Sequence, residues 1–206
     1  QNNVQGASDS GLIPMMYPDY QRVDNPEANK RFEALWGTSL EKKPGLTVVE
    51  VIRAADAGQV RGMYIMGENP AMSDPDAEHA RAAMAKFEHL VVQDIFLTET
   101  CYLADVVLPA TAWPEKDGTV TNTDRMVQLG RKALAAPGEA KPDLWILNEL
   151  AKRIGLDWDY THPKQVFDEM RQGMNSIAGI TWDRLERDSV VVYPCENEGD
   201  PGTSVG

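Results

Sequence analysis

The chain has 206 residues, enough for one sizeable core or one core with a small appendage. Its 20 basic residues against 32 acidic ones leave a formal charge of −12, which argues against nucleic acid and anionic membrane as main partners. A phosphate-bearing ligand would have to be held by local groups.

Neither a signal segment nor an apolar run long enough to span a bilayer is visible, and the first residue is Gln1, so a soluble excerpt is expected. Cys101 and Cys195 lie far apart and outside any C-x-x-C spacing, so neither an iron–sulfur nor a zinc framework is expected. They read as isolated thiols in a reducing compartment.

Up to Gly45 the sequence is rich in Asn, Gly, Pro and Asp, with one short helical patch at PEANKRFEAL. Thr47 is placed to cap a helix that ends at Gly58, and a strand follows over Gly62–Met66. GENPAMSDPD, residues 67–76, then forms a loop, and a helix is expected from about Pro75 to His89 with Ser73 or Asp74 as its cap. LVVQDIF, from Leu90, is a second buried strand, TETCYLA a helical turn or two, and DVVLP, from Asp105 to Pro109, a third strand.

Short apolar strands alternating with helices predict an α/β fold with a doubly wound, mostly parallel sheet, in which these three strands are parallel neighbours. From Ala110 to Asp143 the chain is polar and carries few apolar runs. DLWILNELAKRIG has a helical face of Leu144, Ile146, Leu147, Leu150, Ala151 and Ile154, and HPKQVFDEMRQG predicts a further helix. The tail CENEGDPGTSVG has no core-forming pattern.

The chain holds no G-x-G-x-x-G, P-loop, G-x-S-x-G or H-E-x-x-H, and His79, His89 and His162 do not cluster. What remains is a set of loops after three parallel strands, where open α/β sheets place their ligands. Asp94, closing the second strand, is placed either to accept hydrogen bonds from ribose hydroxyls or to shape a turn. GENPAMSDPD and the Lys116-Asp117 pair are each open to the same two readings, ligand contact or plain turn. Their common edge favours a nucleotide.

The stretches QNNVQGASDSG, GENPAMSDPD, LVVQDIFLTETCYLADVVLPATAWPEKDGTVTNTDRMVQLGRKAL and PGEAKPDLW together resemble the molybdopterin oxidoreductase family, and within it the catalytic subunit of molybdenum- or tungsten-dependent formate dehydrogenases of the cytoplasmic, NAD-dependent type. The match runs to Gly155 and weakens beyond it. It implies a bis-molybdopterin guanine dinucleotide cofactor, with the metal ligated outside this chain and iron–sulfur clusters in regions not present here.

The same resemblance implies an irregular segment over 1–45 near the pterin, a Rossmann-like guanine-dinucleotide domain over 46–155, and a helical extension over 156–206. Gln1 would approach a pterin, while Gly67, Glu68, Asn69 and Ser73 would wrap one guanosine-phosphate arm. Gln93, Asp94, Ile95 and Thr98 would line its ribose and phosphates, Lys116 would add positive charge, and Asp143 would read guanine. A carboxylate can do so because it accepts two parallel hydrogen bonds from the N1–H and N2–H₂ edge. Gly67, Asn69, Asp94, Lys116 and Asp143 are therefore expected on one open edge. Asn122 and Arg125 would either reach a pterin or brace their loop.

No catalytic or metal-ligating residue is assigned within the chain, because the arginine that precedes QNNVQG in the family and the family's metal ligand have no counterpart here. The expected partners are the remainder of the same catalytic subunit and iron–sulfur and flavin- or NAD-binding subunits. Two functions remain open: the cofactor-holding part of a formate-oxidising enzyme, inactive by itself, or a non-catalytic nucleotide-binding or assembly module of a respiratory complex.

Overall fold

The computed structural model describes residues 3–203. In chain order it contains α1 (Val4–Asp9), β1 (Met16–Tyr17), β2 (Gln21–Arg22), α2 (Pro26–Trp36), α3 (Val48–Asp56), β3 (Gly62–Met66), α4 (Pro70–Ser73) and α5 (Ala77–Met84). There follow β4 (His89–Asp94), β5 (Val106–Pro109), β6 (Gly118–Thr121), β7 (Met126–Gly130), α6 (Asp143–Arg153), α7 (Pro163–Gly173), α8 (Trp182–Asp188) and β8 (Val190–Val192). Contacts divide the chain into two units. One comprises the segment ending at Gly45, Lys116–Lys132 and the segment from Asp157; the other comprises Leu46–Glu115 and Ala133–Leu156. Residues 116–132, kept inside the central domain by the sequence reading, thus make their contacts in the first unit.

The second unit is built on the parallel sheet β3-β4-β5. Its register runs from Gly62↔His89 to Met66↔Gln93 and from Val91↔Val106 to Asp94↔Pro109. Side chains alternate across this sheet as a period of two requires. Ile65, Leu90 and Val92 face Ile52 and Ala55 of α3 and Ala80, Ala83 and Met84 of α5, forming one buried cluster. Full burial of a side chain such as Leu90 or Met84 contributes about 1.5–3 kcal/mol.

The expected start of α3 holds: the Glu50 carboxylate accepts from the Thr47 N–H at 2.8 Å and from its hydroxyl at 2.7 Å. The helix expected from Pro75 to His89 is instead two helices, α4 and α5. Pro75 disfavours helical backbone at Asp74, which is extended at φ −69° and ψ 147°. The cap of α5 is Asp76, whose side chain accepts from the His79 N–H at 3.1 Å, rather than Ser73 or Asp74, and His89 opens β4. Beyond β5, a single parallel bridge pairs Ala110 with Lys141, so the chain passes beside the sheet edge before entering α6.

The first unit holds the antiparallel pair β1-β2 and an antiparallel sheet β6-β7-β8, neither of them expected from the sequence. β6 and β7 form a hairpin from Gly118↔Gly130 to Thr121↔Val127, and β8 pairs with the other side of β7. Val127, Phe167, Ile180, Leu185 and Val191 are among its core residues. The tail also corrects its expectation. Cys195 is buried, and Arg184 donates to its sulfur at 3.2 Å and to the carbonyls of Gly179, Glu198 and Asp200 at 3.3, 3.1 and 2.6 Å. One buried guanidinium therefore ties down a polar loop that has no hydrophobic pattern of its own.

Candidate functional site

The loop after β3 begins with Gly67 at φ +67°, left-handed backbone that glycine adopts without cost, and nothing lies within 4 Å of the position a Cβ would take. Its N–H donates to the Gln93 carbonyl at 2.9 Å, extending the β3-β4 ladder by one residue. Glu68 and Ser73 are exposed.

Asn69 fixes the loop. Its Oδ1 accepts from the Thr100 N–H at 3.2 Å and the Thr100 hydroxyl at 2.7 Å, and its Nδ2 donates to Glu99 at 2.7 Å. Thr100 Oγ1, wholly buried, accepts from the Ala71 N–H at 3.1 Å. The loops after β3 and β4 are thereby bonded to each other. The bond from Asn69 holds the Glu99 carboxyl below its usual range, while burial pushes that of Asp74 up.

At the end of β4, Asp94 Oδ1 accepts from the N–H groups of Ile95 and Phe96 at 2.6 and 3.3 Å, so the carboxylate shapes the turn. That turn leaves Ile95 exposed and Phe96 74% exposed, and the Thr98 hydroxyl lies 3.4 Å from the Cys101 sulfur.

Gln93 is 0% exposed. Its Oε1 accepts from the Tyr64 hydroxyl and its Nε2 donates to Asp143 Oδ1 at 2.6 Å. Asp143 reaches this position because Lys141 bonds to the edge beyond β5, donating to the Pro109 carbonyl at 3.1 Å and accepting from the Thr111 N–H at 3.1 Å, and α6 starts two residues later. Burial, and then the charge of Asp143, raise the pKa of Tyr64.

Of the residues expected on one edge, Gly67, Asn69, Asp94 and Asp143 therefore belong to the same unit, at or just beyond the carboxyl ends of its strands. Lys116 belongs to the first unit. Gln1 lies outside the described residues. Asn122 Oδ1 accepts from the Met126 N–H at 3.0 Å, the bracing arrangement, and Arg125 lies 6.0 Å from the Tyr193 ring centroid.

Tyr64, Glu99 and Thr100 are the residues sequence reading missed. The signal for Tyr64 was the strand period, which places it on the face opposite Ile65. Nothing local marked Thr100, whose importance comes from a bond to Asn69, 31 positions away.

Asp143 offers a carboxylate whose Oδ1 accepts from Gln93. Open space beside Gly67 lets backbone approach a ligand. Carboxylates at Glu68, Asp94 and Glu99 make this edge acidic, so any anion held here would depend on backbone amides and hydroxyls of the unit. Among the described residues no group of three or more His, Cys, Asp or Glu is arranged to hold a metal ion, and no helix is long and apolar enough to cross a membrane.

Comparison with known proteins gives this geometry a family. The F420-dependent formate dehydrogenase subunit alpha of Methanocaldococcus jannaschii is 47% identical over the whole chain, which covers 30% of that protein. The F420-dependent formate dehydrogenase 2 subunit alpha of Methanococcus maripaludis is 46% identical, again over the whole chain and 30% of its own length. The chain thus spans about a third of these relatives.

Acetylene hydratase from Pelobacter acetylenicus superposes with a TM-score of 0.63 at 18% identity, over 96% of this chain and 28% of that one, a likeness of fold. The family described as Molybdopterin oxidoreductase matches residues 2–153, and membership implies a molybdopterin cofactor with molybdenum or tungsten. This chain belongs to the molybdopterin oxidoreductase family.

Proposed function

We propose that the chain is the part of a formate dehydrogenase alpha subunit that holds one molybdopterin guanine dinucleotide, in an enzyme that takes two electrons from formate to give carbon dioxide. The observation that carries this reading is the anchored Asp143 carboxylate beside the carboxyl ends of parallel strands, in a chain 47% identical to a protein named as such a subunit. The bound cofactor would supply the redox chemistry. This chain's residues would bind and orient it.

Asp143 takes the N1–H and N2–H₂ edge of guanine. Gly67, Glu68, Asn69 and Ser73 border the nucleotide arm on one side, and Asp94, Ile95 and Thr98 on the other, with backbone N–H groups and the two hydroxyls as phosphate donors. For Lys116 the proposed role is a positive charge toward the cofactor and for Gln1 an approach to a pterin, the roles the family resemblance implies. The metal is ligated by residues outside this chain, and iron–sulfur clusters belong to other regions or subunits.

The enzyme is read as cytoplasmic and as an assembly with electron-carrying partners. Its acceptor is read as F420 in place of the NAD of the sequence expectation, because both relatives quoted carry F420 in their names.

The test uses the subunit purified with its partners. Acid release and pyrophosphatase digestion of its cofactor should yield GMP, and formate should drive reduction of F420 faster than of NAD. Release of CMP or AMP would contradict the guanine assignment. Absence of formate-dependent reduction with either acceptor would contradict the activity.

A further inference from the structure

Three residues from three elements meet on the face of the parallel sheet opposite its core. Tyr64 of β3 donates its hydroxyl hydrogen to Gln93 Oε1, and Gln93 of β4 donates from Nε2 to Asp143 Oδ1 of α6 at 2.6 Å. The register sets Tyr64 opposite Val91, so Gln93 is its diagonal neighbour two residues on, within reach of a long side chain.

A glutamine amide has two ends, and only one orientation satisfies both neighbours. Turned round, its carbonyl oxygen would face the Asp143 carboxylate, acceptor against acceptor, and its NH₂ would lose that acceptor inside a fully buried site. The Asp143 carboxylate, an acceptor only, decides the orientation, and the Tyr64 hydroxyl, donating to Oε1, holds the amide in it. Burial and the neighbouring carboxylate keep that phenol protonated, so it remains a donor over the ordinary pH range.

We propose that Tyr64 and Gln93 are positioning residues that fix the plane of the Asp143 carboxylate and so set selectivity for guanine over bases lacking its 2-amino group. The proposal rests on the guanine reading of Asp143. Reading N1–H and N2–H₂ together requires both carboxylate oxygens to lie near the plane of the base, since hydrogen bonds weaken as donor and acceptor fall out of line. A carboxylate can turn about its Cβ–Cγ bond, and the bond from Gln93 to Oδ1 opposes that turning. Neither Tyr64 nor Gln93 needs to touch the nucleotide, and Gln93, wholly buried, acts from behind the carboxylate in place of the ribose contact expected for it.

The test is titration of the whole alpha subunit, purified without bound cofactor, with guanosine, inosine and adenosine 5′-diphosphates, comparing wild type with Tyr64→Phe and Gln93→Met. Circular dichroism melts serve as the control for folding. Inosine keeps N1–H and lacks the 2-amino group, so the guanosine-to-inosine affinity ratio reports the second hydrogen bond alone. Wild type should prefer guanosine by about tenfold or more, as expected for a hydrogen bond to a charged acceptor.

Tyr64→Phe should reduce that ratio at least about threefold, and Gln93→Met should bring it near one, with inosine affinity changing much less. A wild-type preference that survives both substitutions would overturn the positioning role while leaving the guanine reading intact. A wild type with no guanosine preference would overturn the guanine reading itself. Should Gln93→Met fail to fold, Tyr64→Phe, which removes one oxygen from a half-exposed ring, decides the matter.

Discussion

The two units achieve burial by opposite routes. In the second unit, neighbouring strands are parallel and follow one another in sequence, joined by short helical crossovers, and each shows as an apolar run. In the first unit, the antiparallel sheet joins a hairpin at 118–130 to a strand at 190–192, and the core is completed by helices from the chain's last third. Local order therefore builds the unit that carries the candidate site, and long-range pairing builds the other.

The sharpest way to break this contrast is to remove core volume. Leu90→Ala should cost about 2–5 kcal/mol in urea denaturation, because Leu90 is fully buried between sheet and helices. Leu185→Ala should cost a similar amount, with faster amide exchange over 118–130 and 190–192. A cost under about 1 kcal/mol for either would mean that these clusters are not the cores described.

Asn69→Ala tests the coupling between the loops after β3 and β4. It removes three hydrogen bonds, one of them from the buried Thr100 hydroxyl, and should cost about 1–3 kcal/mol while raising protease sensitivity around 67–74. Unchanged proteolysis there would show that the loops hold without Asn69. Thr47→Ala, which removes a hydroxyl bond to Glu50 at the start of α3, should cost about 0.5–2 kcal/mol by the same denaturation measurement.

The smallest effect is an alkaline one in the first unit. The Tyr160 hydroxyl donates to Glu169 at 2.5 Å, and that bond pushes its pKa from 10.0 up to about 12. A raised folded-state value stabilises the fold fully below the unfolded value, and the stabilisation is lost as pH rises through the folded value. Stability should therefore decline between pH 10 and about 12, more gently in Tyr160→Phe. Parallel pH curves for the two proteins would remove this contribution.

The same contrast explains what the sequence disclosed. The parallel strands were legible from apolar runs, and the start of α3 from Thr47 and Glu50. The hairpin β6-β7 was not, because GTVT is mostly half-buried with hydroxyls on one face, and its partners lie far along the chain. Arg184 anchors a tail whose sequence shows no core-forming pattern.

For the site, residue types and strand ends identified the loops, yet not how they are held. The Tyr64–Gln93 and Gln93–Asp143 bonds span 29 and 50 positions, separations that only the fold brings together. Asp94 was open to a ribose contact or a turn, and its Oδ1 accepts within the turn that follows.

Amide hydrogen exchange of the chain with and without guanosine 5′-diphosphate tests most directly whether the second unit's strand ends form a nucleotide site. Added protection is expected in 67–74, in 93–100 and around Asp143, abolished by Asp143→Ala and weak with the adenosine nucleotide. Protection confined to segments of the first unit, or equal protection by both nucleotides, would contradict it.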